Sequence, residues 1–357
     1  MKGVILSGGT GTRLRPITHT GPKQLVPVAN KPVLEYAIED LKEAGITEIG
    51  IILGNVGREE IQNLVGDGSK YGVDVTYIVQ GNPLGLAHAA GCAREFVGDD
   101  DFVMYLGDNI LNQGISELVE SFKAGDYGAG ISLQHVDNPQ QFGIADVDVD
   151  GNVEGLVEKP DDPPSDLALI GIYVFSPAVF DAIDRLEPSW RGELEITDAI
   201  QLLLEDGYKI DSHVVEGWWK DTGKPGDILE ANRLVLESQK RSLDGTVEEG
   251  AEVNGRVQLA RSATIESGAV VRGPVSIADD VTIEDGSYVG PYTSIGENTR
   301  IAGPHIENTV IVGESEVTTN GRIIDSLIGR AAQVESAEGM LPEGRRMVVG
   351  ENSQLHL

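Results

Sequence analysis

The chain has 357 residues, more than one hydrophobic core usually supports, so its length predicts two domains. It carries 58 Asp and Glu against 27 Lys and Arg, and the resulting net charge of −31 excludes the basic footprint that a nucleic-acid-binding protein needs. Hydrophobic residues at 40% and charged residues at 24% exclude a disordered chain.

The acidic residues are spread along the chain rather than gathered in a tail. Their mutual repulsion opposes folding at low salt, whereas at about 1 M salt the screening length falls to roughly 3 Å. We therefore expect a halophilic protein. The N-terminus lacks the pattern of a signal peptide, and no apolar run has the length of a membrane span, so we expect a cytoplasmic protein with no membrane partner.

Short β-branched runs alternate with amphipathic segments through the first part of the chain. This alternation predicts an α/β fold, a Rossmann-like domain with a mostly parallel sheet, in which ligands bind at the carboxyl ends of strands. The predicted strands are Lys2–Leu6, Gly50–Leu53, Val75–Gln80, Phe102–Leu106, Ala129–His135, Ile144–Val149, Gly155–Glu158 and Leu169–Phe175. The predicted helices are Pro32–Ala44, Glu59–Val65, Leu86–Phe96, Ala178–Arg185, Ile196–Asp206 and Asp227–Arg241.

A different pattern begins after residue 240. An aliphatic residue recurs at every sixth position, namely at Val247, Val253, Leu259, Ile265, Val271, Ile277, Ile283, Val289, Ile295 and Ile301. A hexapeptide period predicts a left-handed parallel β-helix, so we expect one domain over residues 1–240 and a β-helix domain over residues 241–357. The period shifts after Ile301 and resumes at Ile311, which predicts one or two looped-out residues.

The segment after the first strand, Gly8-Gly-Thr-Gly-Thr-Arg-Leu14, is dense in glycine. Glycines let backbone N–H groups converge on phosphate oxygens, although a tight turn without a ligand is the alternative. The segment matches neither a Walker motif nor the dinucleotide fingerprint. Arg13 and Lys23 follow at positions from which they could neutralise a triphosphate.

Four further residues carry candidate chemistry. Asp108 follows a predicted strand end, where a carboxylate beside phosphates suits Mg²⁺, and Asp221 is a second candidate ligand. A turn residue is the alternative for each aspartate. Glu158 and Lys159 end another strand, where the glutamate could accept sugar hydroxyls and the lysine could face a phosphate; a surface ion pair is the alternative.

Taken together, seven motifs resemble those of the glucose-1-phosphate thymidylyltransferases, and the β-helix resembles the long form of that family. The match spans roughly residues 1 to 240. The motifs are Gly8-Gly-Thr-Gly-Thr-Arg-Leu14, Pro22-Lys-Gln-Leu-Val-Pro-Val28, Lys31-Pro32, Gly107-Asp-Asn109, Glu158-Lys-Pro160, Arg191-Gly-Glu-Leu-Glu-Ile-Thr-Asp198 and Lys220-Asp-Thr-Gly223. The resemblance implies a nucleotidyltransferase that joins dTTP and glucose 1-phosphate, with Mg²⁺ as cofactor, for a deoxysugar or surface glycan.

The resemblance also implies a role for individual residues. Arg13 and Lys23 correspond to the groups that stabilise pyrophosphate, Lys159 to the sugar-phosphate lysine, and Asp108 and Asp221 to the metal ligands. Nucleotide-binding positions fall on Leu6, Gly8, Gly9, Gly11, Thr12, Gln80 and Gly85, and sugar-binding positions on Gly143, Glu158 and Gly171. One departure is Leu84, where many short members carry an aspartate.

Three alternatives to this function stay open. A uridylyltransferase would use UTP, whose base differs from thymine by one methyl group. A bifunctional acetyltransferase would need a histidine in the coil, where only His305 and His356 occur. A non-catalytic assembly subunit would be expected to lack a metal aspartate or a phosphate lysine. The coil itself predicts a homo-oligomer.

Overall fold

The computed structural model describes residues 1–336 and 351–355 except residues 10, 20 and 150. His356 therefore lies outside the described residues, as does Thr10 of the glycine-rich segment. Two packing units are present: one comprises Met1–Thr10 and Leu34–Asp221, the other Gly11–Val33 and Thr222–Leu357. The second unit thus includes an N-terminal segment and a helix in addition to the predicted β-helix residues.

Among the residues that the structure describes before residue 222 there are thirteen strands, of which β2 and β3 belong to the second unit. They are β1 Lys2–Ser7, β2 Pro27–Val28, β3 Lys31–Pro32, β4 Glu48–Leu53, β5 Asp74–Val79, β6 Phe102–Leu106, β7 Asn109–Leu111, β8 Ala129–His135, β9 Gly143–Val147, β10 Val153–Glu158, β11 Leu167–Phe175, β12 Ile210–Val214 and β13 Trp219–Asp221.

The eight α-helices are α1 Val33–Glu43, α2 Arg58–Val65, α3 Leu86–Cys92, α4 Arg94–Val97, α5 Ser116–Ala124, α6 Ala178–Ile183, α7 Ile196–Glu205 and α8 Pro225–Ser238, counted among the described residues. The helix predicted over Leu86–Phe96 is thus two short helices. Short 3₁₀ turns occupy Thr12–Leu14, Ile17–His19, Lys23–Leu25, Ser69–Tyr71 and Pro139–Gln141. No helix in the described part of the chain has the length and apolar character needed to cross a bilayer.

A nine-stranded sheet forms the centre of the first unit. Its main path runs β10-β9-β11-β6-β1-β4-β5, with β8 beside β11 and β12 beside β8. Strands β6, β1, β4 and β5 are parallel, whereas β11 pairs antiparallel with β6, β8 and β9. The predicted α/β fold is confirmed, and its parallel half brings the carboxyl ends of four strands to one edge.

The first unit has its core where one face of this sheet meets α3, α6 and α7. The strand residues there alternate between the two faces, and small alanines on α3 allow the helix to approach closely. Val4, Phe102, Phe175 and Phe180 are buried in this core, and the rings of Phe102 and Phe180 are stacked. This packing holds the strand ends in place.

Most of the second unit consists of three parallel sheets. The predicted left-handed parallel β-helix is thus confirmed. Each sheet takes every third strand of the coil. The strands are β14 Ser242–Leu243, β15 Thr246–Val247, β16 Glu252–Asn254, β17 Val257–Leu259, β18 Thr264–Ile265, β19 Val270–Arg272, β20 Val275–Ile277, β21 Thr282–Ile283, β22 Tyr288–Val289, β23 Thr293–Ile295, β24 Arg300–Ala302, β25 His305–Glu307, β26 Val310–Ile311, β27 Glu316–Thr318, β28 Arg322–Ile324, β29 Leu327–Ile328 and β30 Gln333–Glu335.

The change of period after Ile301 has the opposite cause from the one predicted. Val271 pairs with Val289, 18 residues later, but Ile295 pairs with Ile311, only 16 residues later. Ile306 takes the intervening inward position and is fully buried. The coil thus loses residues at its corners rather than looping extra ones out, because each inward position must still place an aliphatic side chain in the core.

Candidate active site

The carboxyl ends of the parallel strands bring two of the predicted nucleotide-binding residues, Gly8 and Gln80, together within the first unit. Gly8 follows β1, Gly54 follows β4 and Gln80 follows β5. A Cβ atom built on Gly8 would lie 2.9 Å from Oε1 of Gln80, and one on Gly54 would lie 2.5 Å from the carbonyl oxygen of Gly8. A side chain at either glycine would therefore fill the space at this edge of the sheet. The sequence pointed to Gly8 as a binding residue but did not point to Gly54.

The Gln80 amide has a defined orientation. Its Nε2 atom lies 3.0 Å from Nδ1 of His88, on α3, and the Gln80 side chain is 5% exposed. Its Oε1 atom is directed towards Gly8. The Gln80 side chain thus offers an oriented hydrogen-bond acceptor at the ends of the strands. Two more of the predicted nucleotide-binding residues belong to this part of the chain, since Leu6 lies in β1 and Gly9 lies just after it. His88 is a second residue that sequence analysis did not assign.

Gly85 occupies a position that only glycine tolerates. Its φ is +108°, and a Cβ atom would lie 2.4 Å from the carbonyl oxygen of Leu194. The amide of Leu194 donates to the carbonyl of Leu84, and the amide of Ala87 donates to the carbonyl of Leu194. Close backbone contact therefore joins the start of α3 to the segment before α7, and the side chain of Leu84 is exposed.

Asp108 is held by a chain of side-chain hydrogen bonds. Nδ2 of Asn109 donates to Oδ1 of Asp108 at 3.0 Å, and Nε1 of Trp219 donates to Oδ1 of Asn109 at 2.5 Å. Asp108 is 7% exposed. The carboxylate follows β6 at the same edge of the sheet as Gly8, and the indole of Trp219 orients the amide that bonds it.

Asp221 comes close in the fold to the strand that Asp108 precedes. Strands β7 and β13 form an antiparallel ladder in which Asp221 pairs with Asn109. The backbone of Asp221 therefore lies opposite the residue that follows Asp108. The hard carboxylate oxygens of two aspartates suit Mg²⁺, which binds through one or two carboxylates and completes its shell with phosphate and water.

A metal site made wholly of protein side chains needs more ligands than these two aspartates supply. Within the described ranges, no group of three or more His, Cys, Asp or Glu residues is arranged to hold a metal ion. A Mg²⁺ ion held by two aspartates would take its remaining ligands from phosphate oxygens and water.

Glu158 lies at the centre of a second cluster. Oγ1 of Thr197 donates to its Oε2 at 2.8 Å, Nζ of Lys159 donates to its Oε1 at 2.9 Å, and Nη1 of Arg191 lies 3.4 Å from Oε1. Arg191 also contacts Glu195. Arg191 and Thr197 belong to a motif that sequence analysis quoted without giving either residue a role.

The backbone of Lys159 has an uncommon conformation. Its φ is +42°, although the residue has a long side chain and precedes a proline. In a regular strand, successive side chains point to opposite faces, whereas here the Lys159 and Glu158 side chains meet. Such strain is concentrated at functional sites, which supports a binding role for the pair.

Two glycines border these clusters. Gly143 pairs with Glu158 across β9 and β10, and a Cβ atom there would lie 2.7 Å from Oγ1 of Thr197 and 3.0 Å from Oε2 of Glu158. Gly171 has a φ of +75°, and a Cβ atom there would lie 3.1 Å from Oδ1 of Asn109. The absence of side chains at both positions keeps space free beside Glu158 and Asn109.

Two acids near Glu158 have perturbed ionisation. Burial raises the pKa of Glu195, against the effect of a hydrogen bond from Ser189. Burial also raises the pKa of Asp198, and the negative charge of Glu158 raises it further. Negative charge is therefore costly around Glu158, and the cations of Lys159 and Arg191 compensate it.

The remaining predicted residues lie in the second unit. Gly11 has a φ of +62° and precedes the 3₁₀ turn that carries Thr12 and Arg13, both exposed. Oγ1 of Thr18 donates to the carbonyl of Gly11 at 2.6 Å. A Cβ atom on Gly11 would lie 3.2 Å from Cβ of Lys23. Within this unit, Gly11 and Lys23 are thus brought side by side.

A model of the nucleotidyl transferase family matches residues 2–238 of the chain. The low-salt glycan biosynthesis nucleotidyltransferase Agl11 of Haloferax volcanii is 76% identical over 357 residues, which cover 100% of both chains. A glucose-1-phosphate thymidylyltransferase of Streptomyces antibioticus is 50% identical over 358 residues, which cover 100% of this chain and 99% of the relative.

One solved structure is similar to the chain in sequence and fold. A Bacillus anthracis chain assigned as a glucose-1-phosphate thymidylyltransferase, solved in complex with a sucrose, superposes with a TM-score of 0.62 at 41% identity. The similarity covers 66% of this chain and 94% of the other.

Proposed function

Because the chain belongs to the nucleotidyl transferase family, we propose that it transfers the thymidylyl group of dTTP to glucose 1-phosphate, giving dTDP-glucose and pyrophosphate. It is a nucleotidyltransferase of sugar-nucleotide and glycan biosynthesis. The observation that carries the proposal is the pairing of Asp221 with Asn109, because it brings a second carboxylate to the strand that follows Asp108.

The reaction needs no nucleophile from the protein. An oxygen of the sugar phosphate attacks the α-phosphorus of the nucleotide, and the bond from that phosphorus to the bridging oxygen breaks as pyrophosphate leaves. Catalysis then consists of positioning and charge neutralisation. In this scheme Arg13 and Lys23 stabilise the departing pyrophosphate, and Lys159 binds the phosphate of the sugar.

The base, phosphates and sugar are bound by separate groups. Oε1 of Gln80, oriented by the contact between Nε2 and His88, accepts a hydrogen bond from the pyrimidine. Backbone groups near the base and phosphates come from Leu6, Gly8, Gly9, Gly11, Thr12 and Gly85. Glu158 accepts sugar hydroxyls, and Gly143 and Gly171 leave room for the ring.

Asp108 and Asp221 are the residues that would hold Mg²⁺. When bound, this ion supplies positive charge that neutralises the phosphate oxygens. The hydrogen bond from Asn109 orients the Asp108 carboxylate for that task, and Trp219 in turn orients Asn109.

The cellular setting follows from the same premise. We propose a cytoplasmic enzyme that assembles as a homo-oligomer through its β-helix, with the nucleotidyltransferase domain in residues 1–240 and the β-helix domain in residues 241–357. The product would be consumed in deoxysugar or surface-glycan biosynthesis. Light scattering of the purified chain after size exclusion measures the oligomer, and a monomer at all salt concentrations would contradict that part.

The function is tested by pyrophosphate release from purified protein with Mg²⁺ and glucose 1-phosphate. Parallel reactions contain dTTP or UTP, at low salt and at about 2 M KCl, where the acidic surface is screened. Faster release with dTTP supports the proposal, and faster release with UTP identifies a uridylyltransferase. Acetyl-CoA consumption with amino-sugar phosphates tests for the bifunctional enzyme, and no release under any condition identifies a non-catalytic subunit.

A further inference from the structure

The hairpin of β2 and β3 ends in a turn whose backbone is unusual. Both turn residues, Ala29 and Asn30, have positive φ, 49° and 64°. This is the geometry of a type I′ hairpin turn, and it is unfavourable for alanine. The surrounding structure must therefore hold Ala29 in place.

Asn232 of α8 provides that hold. Its Oδ1 atom accepts a hydrogen bond from the amide of Ala29 at 2.8 Å and another from Oγ of Ser294, in the coil, at 2.8 Å. Its Nδ2 atom donates to the carbonyl of Tyr292 at 2.9 Å. Asn232 is fully buried, so one amide joins the hairpin, the helix and the coil in a place that water does not reach.

A second hydrogen bond joins the same turn to the coil. Nδ2 of Asn30 donates to Oγ of Ser276, on β20, at 3.0 Å. Ser276 and Ser294 lie on consecutive strands of one coil sheet, where they pair with each other. The β-helix thus presents two adjacent serines that bind the hairpin turn, one directly and one through Asn232.

The hairpin leads directly to Lys23. The amide of Val26 donates to the carbonyl of Lys23 at 3.1 Å, and the amide of Val33 donates to the carbonyl of Val26 at 3.3 Å. Val28 is fully buried. Between Lys23 and the held turn there is consequently a short run of hydrogen-bonded and buried backbone, through which a displacement of the turn is passed on.

We propose that Asn232, with Ser276 and Ser294 of the coil, positions the hairpin and thereby Lys23, so that the β-helix is part of the catalytic apparatus as well as an assembly module. This inference rests on the proposed function, in which Lys23 stabilises pyrophosphate. Asn232 acts here as a positioning residue, because its contacts are with backbone and serine hydroxyls rather than with substrate.

The first experiment uses Asn30→Gly in the full-length chain. Glycine accepts the positive φ, so the turn is retained while the hydrogen bond to Ser276 is lost. We expect kcat to fall by about tenfold with little change in the KM of glucose 1-phosphate, since displacements of about 1 Å cost up to about a hundredfold. Asn298→Gly is the matched control, because Asn298 also has a positive φ but lies at an exposed corner of the coil.

A double-mutant cycle with Lys23→Gln tests whether the effect passes through Lys23. If it does, Asn30→Gly costs little further activity once Lys23 is replaced, and Ser276→Ala reproduces the loss seen with Asn30→Gly. Additive losses in the cycle, or normal kcat in both Asn30→Gly and Ser276→Ala, would overturn the inference. Asn232→Ala is a stronger perturbation, and its failure to fold would leave the decision to these two milder variants.

The outcomes separate this inference from the proposed function. Normal turnover in Lys23→Gln would show that Lys23 does not stabilise pyrophosphate. It would refute both that part of the proposed function and the positioning role inferred here. Loss of turnover in Lys23→Gln, combined with normal turnover in Asn30→Gly and Ser276→Ala, would leave the function standing and refute only the positioning role.

Discussion

Asp221 pairs with Asn109 across the antiparallel ladder of β7 and β13, one residue along the chain from Asp108. The two aspartates are separated by more than a hundred residues in the sequence, yet strand pairing places Asp221 opposite the residue next to Asp108. The hydrogen bonds from Trp219 to Asn109 and from Asn109 to Asp108 stabilise the same arrangement. Replacing each aspartate tests the metal-binding role proposed for Asp108 and Asp221.

Replacing either aspartate by its amide should abolish most turnover. We expect Asp108→Asn and Asp221→Asn to lower kcat by a hundredfold or more, on the scale of about 3 kcal/mol for one lost electrostatic interaction with the transition state. Circular dichroism and thermal unfolding should be unchanged. Asp74→Asn, at an exposed position at the start of β5, is the control, and near-normal turnover in either site variant would remove that aspartate from the metal-binding role.

Gly143→Ala should weaken sugar binding. The new Cβ atom would lie 2.7 Å from Oγ1 of Thr197 and 3.0 Å from Oε2 of Glu158, so both side chains must move. We expect the KM of glucose 1-phosphate to rise by about tenfold in steady-state kinetics, within the cost of overpacking. Gly155→Ala, with no atom within 4 Å of its Cβ atom, should keep the normal KM. An equal KM in both variants would exclude Glu158 from sugar binding.

Gly85→Ala should destabilise the protein. The position combines a φ of +108° with a Cβ position 2.4 Å from a backbone carbonyl oxygen, which cannot move as a side chain does. We expect the free energy of unfolding in urea to fall by about 2 kcal/mol or more, given the usual cost of such backbone strain. Gly81→Ala, which has open space around its Cβ atom, should change it little. Similar midpoints for the two variants would contradict this account.

Because of Glu195, the free energy of unfolding should decrease as the pH rises above the ordinary pKa of a glutamate. Burial raises its pKa in the folded state, so the folded protein binds the proton more tightly than the unfolded chain does. Its contribution is therefore fully present below about pH 4.3, the unfolded pKa, and is lost as the pH rises through the higher folded pKa. Glu195→Gln should flatten the unfolding free energy over that window.

The control for Glu195→Gln is Glu187→Gln, which removes one charge at an exposed position. Urea unfolding at a series of pH values measures both. If the two variants show the same dependence on pH as the unmodified chain, the raised pKa of Glu195 makes no contribution to stability.

The acidic surface should make the fold depend on salt. With a net charge of −31, repulsion between carboxylates opposes folding until salt screens it. We expect the melting temperature to rise between low salt and about 2 M KCl, where the screening length is only a few ångströms. Glu249→Gln with Glu252→Gln, at exposed carboxylates of the coil, should reduce that rise, and a melting temperature independent of salt would contradict the halophilic prediction.

Local pattern was enough to predict the main elements of the fold. The inward aliphatic residues of the coil recur every six positions because each face of a β-helix is that long. The central strands β1 and β4 read as β-branched runs because they are buried on both faces. The antiparallel placement of β11 was not predictable in the same way. Nothing in a single buried strand states which neighbour it pairs with or in which direction.

The sequence likewise predicted some residues of the candidate site and missed others. Asp108, Gln80 and the glycine-rich segment follow strand ends, so their positions alone marked them as candidates. Gly54 also follows a strand end and was nevertheless missed. His88 and Thr197 had no such mark, because only their contacts with Gln80 and Glu158 identify them. Shortening of the coil after Ile301 was likewise misinterpreted as an insertion, since a change of period shows that residues are out of step but not which corner lost them.

The sequence by itself determined the two kinds of secondary structure, the hexapeptide coil, the acidic surface and the resemblance to a family of nucleotidyltransferases. Each of these features depends on residue types that lie close together in the sequence. Only the tertiary structure decided that Asp221 meets the strand after Asp108, that Thr197 and Arg191 bind Glu158, and that Asn232 joins the hairpin of Lys23 to the coil. Hydrogen bonds and strand pairing between distant segments depend on how the whole chain packs, and no local pattern carries that information.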